Sequence, residues 1–142
     1  MNDTGNIFFH KKFQFSDGEI GEKLLIILGN HNNHVVFVKT TSQQHGRGTT
    51  YGCQPSDRFH NFYLPTGSCY FRKCTWVCLD EFFESNDSVL FNARLNMELM
   101  HCASLASEQL RSLQLCALES DDITEQQELT IKNSLIPFEN TG

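Results

Sequence analysis

The sequence lacks the features that mark a membrane or secreted protein. Its longest uninterrupted apolar run, LLIIL at residues 24–28, is far shorter than the roughly 20 residues that span a bilayer. The first residues, MNDTGNIFFHKK, contain no apolar segment that ends in a small-residue cleavage site. We therefore expect a cytoplasmic protein that has no membrane partner.

The sequence also lacks several common catalytic motifs. It contains no G-x-S-x-G nucleophile turn, no G-x-x-x-x-G-K-[ST] phosphate loop, no G-x-G-x-x-G dinucleotide fingerprint and no H-E-x-x-H zinc motif. A formal net charge of −6 and a pI near 5.4 argue against a protein that binds duplex DNA over its whole surface. Any nucleic-acid function must depend on a local cationic patch.

The six cysteines give little support for a metal. Without a signal peptide we expect their thiols to stay reduced, and several lie in apolar segments where cysteine acts as a small hydrophobic residue. No pair has the C-x2-C spacing of a zinc ribbon. We predict no cofactor, and a small zinc protein remains a weaker alternative, with Cys53, His60, Cys69 and Cys74 as its ligands.

The 142 residues predict one domain, mainly β with C-terminal helices, in the α+β class. Five short apolar or alternating segments are typical of strands: 8–15, 23–28, 35–38, 58–64 and 74–79. Strands joined by short turns favour a small barrel, of about five to seven strands over residues 6–100. Helix formers at spacings of three and four predict two helices within 103–136, the second beginning near Asp122 with Glu125 three residues later.

A polar stretch follows the third predicted strand. Metal-free cleavage of RNA needs a base for the 2′-OH, an acid for the 5′-oxygen, and cations or donors around the phosphate. The stretch supplies all of these groups, in Thr40, Thr41, Ser42, Gln43, His45 and Arg47. A solvated connection made of ordinary turn formers is the alternative interpretation.

A second group of residues could bind single-stranded nucleic acid. Aromatic side chains that alternate with cations can stack bases and follow a phosphate backbone. The cations of this group are Arg58, Arg72 and Lys73, and its aromatic residues are Phe59, Phe62, Tyr63, Tyr70 and Phe71. The simpler alternative is that these aromatic side chains fill the interior of the barrel.

The layout resembles the MazF/PemK family of toxins over roughly residues 8–135. The resemblance rests on a basic and aliphatic first strand, the loop 17–22, the strand 24–28 after a cation, the strand 35–38 that ends in TTSQ, and a later TWV strand at 75–77. It implies an SH3-like barrel with a C-terminal helix and a homodimer. It also implies metal-independent cleavage of single-stranded RNA, and an antitoxin protein that occludes the groove.

The resemblance also assigns roles to residues. The family threonine that ends the third strand corresponds to Thr40 or Thr41, and the family arginine before the second strand corresponds to Lys23. Lysine keeps the charge but loses the planar fork that binds two phosphate oxygens. We therefore predict catalytic roles for Lys23, Thr41, Ser42, His45 and Arg47, and RNA-binding roles for Thr40, Gln43, Arg58, Arg72 and Lys73.

The change from arginine to lysine supports an alternative of another class. The same barrel could have lost the chemistry and become a non-catalytic module that binds a partner protein through the groove or the helices. Apolar helix faces are the kind of surface that such a partner would cover.

Overall fold

The computed structural model describes residues 3–15, 17–67, 71 and 73–137. The elements within these ranges are β1 (Asn6–Gln14), β2 (Ile20–His31), β3 (His34–Thr41), β4 (Gly52–Gln54), β5 (Asn61–Leu64), β6 (Thr75–Cys78), β7 (Phe83–Ser85), α1 (Asp87–Leu95), β8 (Leu99–Ser104), α2 (Ser107–Leu118) and α3 (Glu125–Asn133). None of the helices in the described ranges is long and apolar enough to cross a membrane.

The strands form one antiparallel sheet in the order β4-β5-β6-β3-β2-β1-β8, with β7 paired to β3 outside that order. The α+β, mainly β class is as predicted, but the closed barrel is not found. Among the described residues the edge strands β4 and β8 are not paired with one another. Strand β8, which was not predicted, pairs with β1 and forms that edge of the sheet.

The central hairpin joins β2 and β3, as predicted. Its turn places Asn32 and Asn33 at φ 50° and 62°, the left-handed region that asparagine tolerates better than most residues and that two-residue hairpin turns require. The aliphatic run 25–28 is buried on both faces of the sheet, which is the reason for its continuous rather than alternating pattern.

The two faces of the hairpin support separate cores. One core lies under α2 and α3 and includes Ile26, Leu28 and Leu113. The other lies under α1 and includes Leu25 and Ile27. Because side chains of a strand alternate between faces, successive residues of one aliphatic run fill both cores.

The helical region differs in part from its prediction. Helix α2 begins at Ser107 rather than near residue 103, and α1 was not predicted. Helix α3 is N-capped by Thr124, which accepts a hydrogen bond from the amide of Gln127 and forms a reciprocal capping box with its side chain. The prediction of a start at Asp122 with Glu125 was therefore wrong by two residues.

Cysteine is where the sequence interpretation fails most clearly. Cys53 of β4 and Cys116 of α2 form a disulfide, with Cα atoms 5.5 Å apart, so the prediction that all thiols are reduced is wrong. The two residues are 63 positions apart, and nothing in their spacing indicates the pair. Cys78 is a buried free thiol, as expected of a core residue.

A buried glutamine connects three segments of the chain. The Gln114 side-chain amide donates to the carbonyl oxygens of Leu28, at 3.0 Å, and Ser134, at 2.9 Å. Its side-chain oxygen accepts from the amide of Ile136 at 3.1 Å. Gln114 therefore fastens β2 and the segment after α3 to α2 inside the core.

Replacing Gln114 by leucine should destabilise the fold strongly. The Gln114→Leu change keeps the volume but leaves buried backbone groups without partners, each costing about 1–3 kcal/mol. We expect a loss of about 2 kcal/mol or more in the free energy of unfolding, measured by urea denaturation. Gln126→Leu, at an exposed position of α3, is the matched control, and an equal loss in both variants would contradict this account.

Candidate functional site

The strand register assembles a row of polar and aromatic side chains across one face of the sheet. In β1 and β2, His10 lies opposite Lys23. The pairing of β2 with β3 runs as far as Leu25 opposite Lys39, and extending it by two residues would bring Lys23 level with Thr41. Thr41 in turn lies opposite Trp76 of β6. Such an extension would place Lys23 and Thr41 side by side on this face.

Lys23 occupies an unfavourable position for a cation. Burial is the main reason, and a cation–π contact, with the ammonium 5.8 Å from the centroid of the Phe15 ring, compensates only in part. Burial lowers the pKa of Lys23 below its ordinary value; the nearby Cys78 offsets part of this effect, and the cations Lys39 and Arg47 add to it. Lys23, Lys39 and Arg47 are called the cationic cluster below.

Arg47 reaches this cluster from the loop between β3 and β4. One guanidinium nitrogen donates to the carbonyl oxygens of Gln43 and Gln44, at 3.5 and 3.3 Å. The buried Nε of Arg47 finds no acceptor among the described residues. A buried N–H group of a cation that lacks an acceptor is costly, so Arg47 would gain from a movement that brings its guanidinium to an anion.

The loop that carries Arg47 is fastened at its far end. The indole nitrogen of Trp76 donates to the Gly48 carbonyl oxygen at 2.8 Å, and the Gly48 amide donates to Asp57 at 2.7 Å. Arg47 also lies over Phe59, with 5.6 Å between the guanidinium carbon and the ring centroid. These contacts hold Arg47 over the sheet.

The cationic cluster is neutralised only in part by the residues that the structure describes. Lys39 forms an ion pair with Glu81 at 3.0 Å. In the part of the chain that the structure describes, neither Lys23 nor Arg47 has a carboxylate within ion-pair distance. Two cations without counterions beside a hydroxyl, that of Thr41, are suited to bind a phosphate group.

A groove of about 520 Å³ runs past the ends of the same strands. It is lined by Phe9, Glu22, Lys23, Leu24, Thr40, Thr41, Ser42, Phe71, Lys73 and Thr75. Lys23 is a member of the cationic cluster and also lines the groove beside Thr41, so a ligand in the groove can contact the cluster. Ser42, which is exposed, and Lys73 come from other segments to the same groove.

The sequence did not decide whether Thr40 or Thr41 has a hydroxyl available to a ligand, and the structure distinguishes them. Thr40 is 5% exposed, and its hydroxyl donates to the Leu24 carbonyl oxygen at 3.0 Å. Thr41 is more accessible, and its hydroxyl accepts a hydrogen bond from the Gln43 amide at 3.2 Å. Thr41 can still donate its own proton to a ligand, whereas Thr40 already uses its proton within the fold.

His45 lies apart from the groove. It is exposed at the tip of the loop with φ 47°, and its ring nitrogen pairs with the side-chain oxygen of Gln43 at 2.7 Å. The structure does not place it among the groove residues. A lone acid in an alternating strand gives no signal in the sequence, so Glu22 was missed; it lines the groove.

The predicted RNA-binding set is only partly assembled. Lys73 lines the groove, and Arg58 lies 5.2 Å from the centroid of Phe59. Arg72 and Tyr70 lie outside the described residues. The other aromatic residues of this set, Phe62, Tyr63 and Phe71, are 1%, 6% and 4% exposed, which favours the alternative that they fill the interior.

The zinc set suggested by the sequence is not assembled either. Cys69 lies outside the described residues. Cys74 contacts the hydroxyl of Thr66 at 3.1 Å and does not belong to the group that contains Cys53 and His60. Hydrogen bonds from Thr66 and Tyr63 stabilise the thiolate of Cys74 and lower its pKa to about 7.

Comparison of the chain with protein-family models, curated proteins and solved structures finds no match.

Removing the Lys23 charge should stabilise the fold. A lowered lysine pKa means that the charged form of Lys23 destabilises the folded state. This destabilisation is complete below the lowered pKa and disappears as the pH rises toward 10.5, the ordinary pKa of lysine. Lys23→Met should therefore raise the free energy of unfolding at pH 7, and this advantage should shrink at alkaline pH. Urea denaturation at several pH values measures it, with exposed Lys11→Met as the control; a Lys23→Met variant less stable at pH 7 than wild type would contradict it.

Proposed function

We propose that the protein is a metal-independent endoribonuclease that cleaves single-stranded RNA, in the manner of MazF/PemK toxins. The observation that supports this most is the groove at the ends of β2 and β3, whose lining includes both Lys23 and Thr41. Arg47 adds a guanidinium with an unused buried donor. A phosphodiester at the mouth of the groove would neutralise this charge and accept these donors.

The reaction is an internal transfer at phosphorus. The ribose 2′-oxygen attacks the phosphorus atom, the bond to the 5′-oxygen breaks, and the products are a 2′,3′-cyclic phosphate and a 5′-hydroxyl. Glu22 accepts the 2′ proton, and the Lys23 ammonium, more acidic than an ordinary lysine, donates a proton to the 5′-oxygen. Exchange with water then returns both groups to their starting states.

Other side chains hold the phosphate and a base. Thr41 and Ser42 donate hydrogen bonds to phosphate oxygens, and Arg47 stabilises the charge of the pentavalent state. Phe59 is 37% exposed beside Arg47 and Arg58, and an unpaired base can stack on it. Stacking of this kind requires bases that are free of a duplex, which favours single-stranded RNA.

The resemblance extends the proposal to partners. A homodimer and an antitoxin protein that covers the groove belong to the same hypothesis. Because Lys23 and Arg47 have no carboxylate within ion-pair distance among the described residues, an antitoxin segment that inserts acidic side chains would fit this surface.

Cleavage in the presence of EDTA tests the activity directly. We expect wild-type protein to cut a mixed-sequence single-stranded RNA into fragments with cyclic phosphate ends, and Lys23→Ala to be slower by about 100-fold or more, as is typical for loss of an acid or base. Lys132→Ala is the control, since it removes one charge from an exposed i,i+4 pair on α3. Intact RNA with wild-type protein would contradict catalysis and favour a non-catalytic binding module.

The assignment of Glu22 makes a second, separate prediction. Glu22→Gln keeps the shape of the groove but cannot take a proton, so we expect it to bind RNA at least as well as wild type and to cleave it about 100-fold or more slowly. His45→Ala should retain cleavage. Single-turnover cleavage and filter binding of the same RNA separate these effects, and the reverse ranking of the two variants would return the role of base to His45.

A further inference from the structure

A cluster of side chains that could bind a metal lies where β4 meets α2. Potential ligand atoms of Cys53, His60 and Cys116 all lie within 4.8 Å of one another. The His60 Nε2 atom is 3.5 Å from the sulfur of Cys116 and 4.0 Å from that of Cys53. A carboxylate oxygen of Glu119 is 3.8 Å from the Cys53 sulfur. The four side chains provide two sulfurs, one imidazole nitrogen and one carboxylate oxygen.

The cluster is held by separate elements of the fold. Cys53 belongs to β4, Cys116 to α2, and His60 directly precedes β5. Cys116 is 2% exposed, whereas Cys53 and His60 are half-buried. Partial burial with one exposed side leaves a route for an ion while limiting its loss to water.

We propose that the reduced protein binds one Zn²⁺ ion through Cys53, Cys116, His60 and Glu119, so that the disulfide and the metal site are alternative states of the same cluster. Two electrons and two protons break the sulfur–sulfur bond and form two thiols. They come from a dithiol, which becomes a disulfide, or from a phosphine and a water molecule, which together become a phosphine oxide. Zinc then binds both sulfurs as thiolates and releases their two protons to water.

The geometry of the disulfide state lies close to that of a zinc site. Zinc binds thiolate at about 2.3 Å in a tetrahedron, which requires sulfurs about 3.8 Å apart. The Cα atoms of the cysteines are 5.5 Å apart, and rotation of their side chains can open the sulfurs to that separation. His60 Nε2 must give up its hydrogen bond to the Cys116 carbonyl oxygen, 2.6 Å away.

The two states have the same effect on the chain. Each connects β4 to α2 across 63 residues of sequence. A disulfide does not persist in a reducing cytoplasm, and a zinc ion would preserve the connection there. The site thus keeps the base of the loop that carries Arg47 fixed under both oxidising and reducing conditions.

Metal titration of the full chain tests this proposal without an activity assay. Protein reduced with a phosphine and desalted without oxygen should bind one equivalent of Co²⁺, with thiolate-to-cobalt absorption and the intense visible bands of a tetrahedral site, and Zn²⁺ should displace the cobalt. The oxidised protein should bind none. Because both samples are wild type, this comparison does not depend on the folding of a variant.

Variants identify the ligands. Cys53→Ser and His60→Ala should weaken Co²⁺ binding by about tenfold or more, and Cys53→Ser should halve the thiolate absorption. Cys102→Ser, at a free cysteine outside the cluster, should bind as wild type does. The proposal is overturned if reduced protein binds no stoichiometric metal, if oxidised protein binds equally well, or if Cys102→Ser and not Cys53→Ser loses binding.

Discussion

The pairing of β2 with β3 is the interaction on which the rest of the molecule depends. Its aliphatic side chains enter both cores, so the packing of α2 and α3 on one face and of α1 on the other uses the same hairpin. Gly29 allows α3 to come close: a Cβ atom at this position would meet the Thr130 carbonyl oxygen at 3.0 Å and the Ile131 Cα at 3.2 Å. The backbone of the hairpin is thus in contact with the backbone of the helix that covers it, which fixes the ends of β2 and β3 relative to the core.

The candidate site is the continuation of that hairpin beyond its covered part. Where apolar side chains cease, Lys23 and Thr41 line one groove, and the charge of Arg47 acts on Lys23. Burial, with a smaller contribution from the neighbouring cations, lowers the pKa of Lys23, which is a cost in stability. Such costs are typical of functional sites, which are maintained against the preference of the fold. The unused buried donor of Arg47 points in the same direction.

The parts of the structure that could be predicted are those set by short-range signals. The hairpin follows from an aliphatic run and an Asn-rich turn, and α2 and α3 follow from helical spacing. The segment LMHCAS could not be assigned, since it is a strand only through its pairing with β1. The disulfide joins residues that only the folded chain brings together. Strand alternation predicts that Thr40 and Thr41 face opposite ways, but which of them faces the groove depends on the register of the strand. Glu22 could not be singled out, because an exposed acid resembles any other solvated residue.

The charge distribution bears on how an acidic protein would bind the polyanionic substrate proposed above. Three of the eleven Lys and Arg residues form the cationic cluster, while 17 Asp and Glu residues give the chain a net charge of −6. At physiological salt, exposed charges act over about 8 Å, so a phosphate at the groove responds to the cluster more than to the net charge. Nucleotides farther along the strand meet a surface that is acidic on average and repels them. The cluster therefore favours a short contact centred on one phosphodiester, which suits cleavage at a single bond better than continuous coating of a strand.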